Sequence, residues 1–294
     1  MTEQNTRTGI LLMVLTTFIF AVQDAISRHL AAEYNTIMVI MIRYWFFAGF
    51  VITVATRSAG GIRAAARTAQ PAVQIFRGVL LAGEVCIMVL GFVLLGLVHA
   101  HAVFACYPLL IAALSGPVLG ERVGWRRWSA IGIGFVGILV ILQPGTGVFT
   151  PAALVALAAA LCFALYGLLT RYVARQDSAA TSFFWTGVAG AAVLTPPGLW
   201  LWEPMGGTDW IWMATLCVSA AIGHFCLIKA YEVAEASAVQ PFAYLQLVFA
   251  SFIGVYILGE TLEPNVAIGA AIVVSAGIFT LIRTRRRAAR PARS

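Results

Sequence analysis

Charged and amide side chains set inside long apolar runs are the residues of this chain able to do chemistry. Asp24, Arg43, Glu84 and His224 lie in such runs, as do Gln23 and Gln246. A charge at the centre of a bilayer costs roughly 2.5–3.5 kcal/mol on insertion scales, so such groups turn inward or find partners. Asp24 and Arg43 fall in successive runs, each about 10 Å from the same end at 1.5 Å per residue. That placement predicts an ion pair, either structural or gating. Glu84 and His224 share a local frame, Gly83-Glu84-Val85-Cys86 against Gly223-His224-Phe225-Cys226. The frame predicts two titratable groups at one depth facing a common cavity, able to carry a proton or bind an ammonium group. A buried hydrogen-bonded pair that only fixes packing is the alternative.

The same alignment matches Gln23 with Tyr166 and Tyr107 with Gln246. With Trp185 and Tyr244 these residues predict a wall of aromatic and amide groups. Trp185 is matched by Trp45, and both also suit packing or interfacial anchoring. The cations expected inside the runs are Arg43 and Lys229, with Lys229 snorkelling from an inner end. Such a wall fits small neutral, zwitterionic or amphipathic solutes better than anions. Pro108 lies within a run, where proline removes a helical hydrogen bond, so it is a candidate hinge or a packing feature.

Other motifs have plainer readings. Gly132-x-Gly134-x-x-Gly137 has the spacing of a dinucleotide fingerprint, but it sits inside an apolar run with no strand before it. Small residues there serve close helix packing. His99-x-His101 is read as a loop or helix-start pair rather than a metal site, because residues two apart on a helix point to different faces. The five cysteines (Cys86, Cys106, Cys162, Cys217, Cys226) lack CxxC spacing and read as small apolar residues. Ser219 and His224 are five apart, a poor spacing for a nucleophile and its base, so an intramembrane enzyme is disfavoured. No metal site, no cofactor and no ATP-binding loop are expected.

The elements that must position these groups follow from composition. Of 294 residues, 61% are hydrophobic and 11% charged, against about 25% charged in soluble domains. Apolar runs of roughly 20 residues recur along the whole chain, which predicts transmembrane helices. Ten are expected, near 9–28, 36–56, 72–96, 99–119, 125–143, 151–171, 180–201, 209–231, 237–258 and 264–283. The first is read as a span rather than a signal peptide, because no small-residue cleavage pattern follows it. The connections are too short for a soluble domain. Residues 1–294 therefore form one membrane domain, with a basic tail at 284–294.

The chain repeats itself. The 102–143 stretch and the 239–282 stretch each hold an apolar run, then Leu-Gly-Glu (Leu119-Gly120-Glu121 and Leu258-Gly259-Glu260), then a Gly-rich run. Two five-span repeats result, about 9–143 and 151–283. Five is odd, so the second copy is inverted, a pattern typical of secondary transporters with a midplane site. Basic residues set the orientation. Arg7, Arg57, Arg63, Arg67, Arg122, Arg126, Arg127, Arg171, Arg175 and the arginines of the tail fall on one side, and Arg28 alone on the other. Both termini are thus expected in the cytoplasm, with the bilayer and its anionic headgroups as the contact of the basic segments and no nucleic acid.

These features resemble the drug/metabolite transporter superfamily in its EamA-like branch, and within it YddG-type aromatic amino-acid exporters. The resemblance rests on the two five-span halves, the doubled Leu-Gly-Glu and the position of Arg43. It implies an all-α basket of ten helices around a central cavity, in a bacterial inner membrane. It also implies export of amino acids or related small metabolites by alternating access. Small multidrug export is the alternative. The resemblance also implies that the Gly-rich fifth and tenth spans lie outside the basket, where they are candidates for a homodimer contact or for packing within the chain.

Overall fold

The computed structural model describes residues 6–58, 60–120, 124–142, 151–233 and 242–288, and no strand occurs among them. The helices are α1 (Thr6–Glu33), α2 (Thr36–Arg57), α3 (Gly61–Ala66), α4 (Pro71–Leu95), α5 (Leu97–Phe104) and α6 (Tyr107–Leu119). They continue with α7 (Trp125–Leu142), α8 (Ala152–Val173), α9 (Ala179–Trp200), α10 (Asp209–Val233), α11 (Leu245–Tyr256) and α12 (Pro264–Ala288). Six segments are long and apolar enough to cross a membrane: Arg7–Glu33, Thr36–Arg57, Pro71–Leu95, Leu97–Leu119, Ala152–Val173 and Asp209–Leu227. Trp128–Ile141, Leu245–Tyr256 and Pro264–Phe279 are shorter apolar helices. The α9 run, expected as a span, is diluted by Thr181, Ser182, Thr186 and the Pro196-Pro197 pair.

Large apolar side chains face outward along the bundle: Leu11, Ile133, Phe252 and Ile268 are each more than half exposed. In water such a surface would aggregate; in a bilayer it is the lipid face. Trp200, Trp202, Trp210 and Trp212 cluster at one end of α9 and α10, and Trp125 and Trp128 start α7. Tryptophans at helix ends suit the membrane–water boundary.

The expected 99–119 span is not continuous. It breaks at Ala105 and Cys106, and Pro108 lies in the first turn of the helix that follows. Proline suits a first turn, where an N–H has no helical partner, and it cannot continue a helix from upstream. The α4–α5 junction is tighter still. Gly96 alone separates the two helices, at φ +80°, a conformation that side chains with a Cβ rarely adopt. Tyr244 makes a similar turn just before α11. Pro241 and Glu121 lie outside the described residues.

The helices pack in matched sets. α1 lies against α10 and α11; α4 against α8 and α9; α6 against α8; α2 against α9 and α10; and α7 against α12. Of the spaced glycines on α7, Gly137 serves this last contact and Gly134 faces Leu109 of α6. A Cβ at Gly137 would stand 2.8 Å from the Gly269 carbonyl oxygen, and one at Gly269 would stand 2.6 Å from the Gly137 carbonyl. Backbone cannot swing aside, so Gly137→Val should push α7 off α12 and cost about 1–3 kcal/mol. Gly132→Val, on the same helix, meets nothing within 4 Å. The melting temperature of the purified protein should fall for the first variant and hold for the second; equal values would refute the contact.

Candidate functional site

Side chains from both halves of the chain converge on a buried cavity of about 50 Å³. Its polar wall is Gln23 and Asp24 from α1, Arg43 from α2, Glu84 from α4, His101 from α5, His224 from α10 and Gln246 from α11. Phe20, Phe92, Phe104 and Phe163 complete it with aromatic surface. Small-molecule sites usually measure about 300–1,000 Å³, and this cavity has room for little more than water.

Asp24 and Arg43, expected to pair with each other, are each engaged elsewhere. The Gln246 Nε2 group donates to Asp24 Oδ2 at 3.0 Å, and His101 Nε2 stands 3.2 Å from the same oxygen. The imidazole approach is not aligned as a hydrogen bond, because Nε2 has no hydrogen-bond partner among the described residues. It is a close electrostatic contact instead. Arg43 Nη2 lies 3.3 Å from His224 Nε2. Guanidinium only donates, so that nitrogen accepts and the imidazole is neutral, with its hydrogen on Nδ1. His224 stacks on Phe47 at 6.0 Å and packs against Phe20 at 5.1 Å.

Glu84 is 4% exposed, and neither a hydrogen bond nor an ion pair joins its carboxyl group to any described residue. The Gln23 Oε1 atom is likewise buried without a partner among the described residues. Of the expected site residues, Gln23, Asp24, Arg43, Glu84, His224 and Gln246 meet at the cavity. Tyr107, Tyr166, Trp185 and Tyr244 do not line it. Tyr107 backs the wall against Phe104 and Phe163. The Trp185 indole N–H donates to the Ala66 carbonyl at 3.1 Å, at the edge of the bundle. Tyr244 packs over Gly277.

Tyr166 instead lies beneath Arg77, whose guanidinium carbon is 5.1 Å from the ring centre. Arg77 is 1% exposed, a buried cation beyond the Arg43 and Lys229 that the sequence reading singles out. It donates to Gln74 Oε1 at 3.0 Å, Thr170 Oγ1 at 3.1 Å, Thr186 Oγ1 at 2.9 Å and the Ser182 carbonyl. A charge inside the apolar 72–96 run was the available signal. His101 was also missed, because its burial depends on the break after α5. Ser219 Oγ donates to the Leu216 carbonyl, not to His224, so no nucleophile–base pair forms there.

Beyond the cavity, each end of the bundle is tied across the halves. At one end the Tyr34 hydroxyl donates to Asp209 Oδ2 at 2.6 Å, and that bond raises the phenol pKa. Glu203 accepts from the Asn35 N–H. At the other end, burial alone would raise the Asp177 carboxyl, but Thr68, Gln74 and the Ala69 N–H donate to it and hold it below the usual aspartate range.

The Leu-Gly-Glu motif builds a third tie. Gly120, which caps α6, and Gly259, just beyond the end of α11, both adopt left-handed backbone, φ +74° and +68°. The Glu260 carboxylate reaches the start of α5, accepting the Leu97 and Val98 N–H groups at 2.8 Å each, and it pairs with Arg28. An acidic group there meets free amide hydrogens and the positive end of the helix dipole.

Comparison with known proteins accords with this architecture. The EamA-like transporter family model matches the chain twice, over residues 7–143 and 150–282. An S-adenosylmethionine uptake transporter from Rickettsia prowazekii is 26% identical over 278 residues, 95% of this chain and 94% of that one. A riboflavin transporter from Rhizobium johnstonii is 32% identical over 235 residues, 78% and 76% of the two chains. One from Vibrio cholerae is 33% identical over 58% of each. A solved structure shares the fold at TM-score 0.65 and 19% identity, covering 97% of this chain and 99% of that one. These relatives are transporters with other cargoes, so the finer likeness to aromatic amino-acid exporters gains no support from them. A multi-pass membrane protein built from two copies of one module, the chain belongs to the EamA-like transporter family.

Proposed function

We propose that the protein is a secondary transporter carrying a small, aromatic, nitrogen-bearing metabolite across a bacterial inner membrane. The carrying observation is the cavity itself: acidic, amide and imidazole groups from both halves meet beside four phenylalanines in a volume of about 50 Å³. Aromatic faces hold a flat or cationic solute, and the polar groups fix its orientation. Relatives named for S-adenosylmethionine uptake and for riboflavin fit that solute class. The export of amino acids has no such support.

Ten membrane helices in two inverted five-helix repeats are the architecture assigned to this activity. The paired packing supports it: exchanging the halves turns α1–α10 into α8–α4, α1–α11 into α8–α6 and α2–α10 into α9–α4, while α2–α9 and α7–α12 map onto themselves. Alternating access then follows from rocking one repeat against the other around the central cavity. The arginine asymmetry supports cytoplasmic termini, which puts Tyr34 and Asp209 outside and Asp177 inside. The protein works as a single membrane domain.

Uptake into proteoliposomes tests the reading. Labelled S-adenosylmethionine, riboflavin and tryptophan would be offered, with Asp24→Asn as a control that removes one lining charge. Saturable accumulation of the first or second, reduced at least about tenfold in the variant, is the expected result. Accumulation of tryptophan alone would return the cargo to the amino acids, and no accumulation of any would overturn transport.

A further inference from the structure

The carboxyl groups of the cavity are not equally partnered. Its wall carries two carboxyl groups, Asp24 and Glu84, and one guanidinium, Arg43. His224 adds no charge, because its Nε2 accepts from Arg43. Asp24 is held by Gln246 and faces His101, and Arg43 is spent on His224. Glu84 shares the cavity with the apolar side chains of Phe20, Leu81, Val85, Phe92 and Phe163, and Asp24 and Arg43 act on it electrostatically, but no hydrogen bond or ion pair joins its carboxyl group to any described residue. An ionised carboxylate in such surroundings is costly unless something positive reaches it. Two species fit: a proton, or a cation brought by the solute.

We propose that Glu84 binds the single positive charge of the transported solute, an ammonium or sulfonium, and that it does so in exchange for a proton. The inference rests on reading this cavity as the translocation site. In the exchange, the Glu84 O–H bond breaks and the proton passes to water on the side to which the cavity is open. The carboxylate then takes the solute's charge, so the charge of the site is unchanged. On the other side the cation leaves and Glu84 takes a proton from water. One monocation moves one way and one proton the other. The phenylalanine rings present their negative faces to the same charge.

Other ionisable groups face Glu84: Asp24 on α1, Arg43 and Tyr44 on α2, Cys86 on α4, His101 on α5, Cys162 on α8 and His224 on α10. Of these, His101 is the imidazole whose Nε2 has no hydrogen-bond partner among the described residues, whereas His224 is committed as an acceptor. A His101 variant therefore separates the two sources.

The experiment uses full-length protein purified in detergent, in weak buffer with a pH indicator, and S-adenosylmethionine and neutral riboflavin as probes. About one proton should leave per sulfonium bound, and none with riboflavin. Apparent affinity for the sulfonium should weaken by roughly tenfold per pH unit once Glu84 is protonated. Glu84→Gln should release no proton, bind at least about tenfold more weakly and lose its pH dependence, with its melting temperature preserved. His101→Gln should still release the proton. Should Glu84→Gln unfold, Glu84→Asp must keep the proton release at reduced affinity. Proton release that persists in Glu84→Gln, sulfonium binding that is independent of pH in the wild type, or binding of riboflavin alone overturns the assignment. Flux keeps the two ideas apart. Sulfonium crossing proteoliposomes without counter-movement of protons defeats the exchange but not transport. Binding with proton release but no crossing defeats transport but not the site.

Discussion

Arg77→Met should lower the stability of the folded protein by on the order of 3 kcal/mol, the largest loss expected of any single substitution considered for this chain. The guanidinium joins three helices: α4 through Gln74, α8 through Thr170 and the Tyr166 ring, and α9 through Ser182 and Thr186. Replacing a buried ion by an apolar side chain is sometimes harmless, but only when its partners are replaced as well. Here they remain. Thr186 still donates to the Ser182 carbonyl at 2.7 Å, and Thr170 to the Tyr166 carbonyl at 2.7 Å. Gln74 Oε1 has no such substitute, since both of its donors come from Arg77. The orphaned amide oxygen then carries a desolvation cost of about 1–3 kcal/mol. Arg77→Lys should fall between the two, because one ammonium cannot reach three helices at once. In thermal unfolding of the purified protein, Gln74→Leu with Arg77→Met should recover part of the loss of Arg77→Met alone. A melting temperature unchanged by Arg77→Met would show that the network contributes nothing.

The second large effect is expected at Glu260. Its carboxylate holds Arg28 and two N–H groups at the start of α5, joining α1 and α5 to the segment that follows α11. Glu260→Gln keeps the shape but loses the charge, and the new amide nitrogen faces donors. Hydrogen bonds to charged groups are worth about 1.5–3 kcal/mol each. Losing even one should shift the closed–open balance at the Tyr34 end about tenfold, since 1.4 kcal/mol corresponds to a factor of ten. The measurement places one cysteine on the cavity wall, Met88→Cys, in a background lacking the five native cysteines. An impermeant thiol reagent added outside should label it about tenfold faster when Glu260→Gln is present. Equal labelling rates would mean that the tie does not hold the Tyr34 end shut. Gly96→Ala should act the same way, because its Cβ would stand 3.0 Å from Glu260 Oε1 at a φ of +80°.

Much of this molecule was legible in the residues alone. Apolar runs fixed helices, since a backbone in lipid has to satisfy its own hydrogen bonds. Runs at 36–56 and 180–201 became α2 and α9 almost unchanged in extent. The doubled Leu-Gly-Glu revealed the repeat, and its glycines adopt the left-handed turn that only a missing Cβ makes easy. Glycine spacing on α7 marked close helix contact, now seen against Gly269. Repeat alignment also found Gln23, Glu84, His224 and Gln246 at the cavity.

What the chain concealed were the partners. Each step along a helix turns a side chain by about 100°, so the facing of Asp24 and Arg43 depends on how far each helix is rotated and slid in the bundle. Depth along the sequence put the two at one level, yet rotation gave Asp24 to His101 and Gln246, and Arg43 to His224. His101 reached the wall because α5 ends at Phe104 and a new helix starts at Tyr107. The tyrosines and Trp185 went behind the wall or to the bundle edge for the same reason. Local sequence determines that a helix forms and which residues are too polar for lipid. Only the packing of helices from the two halves, over separations such as the 181 residues between Arg43 and His224, decides which polar groups meet.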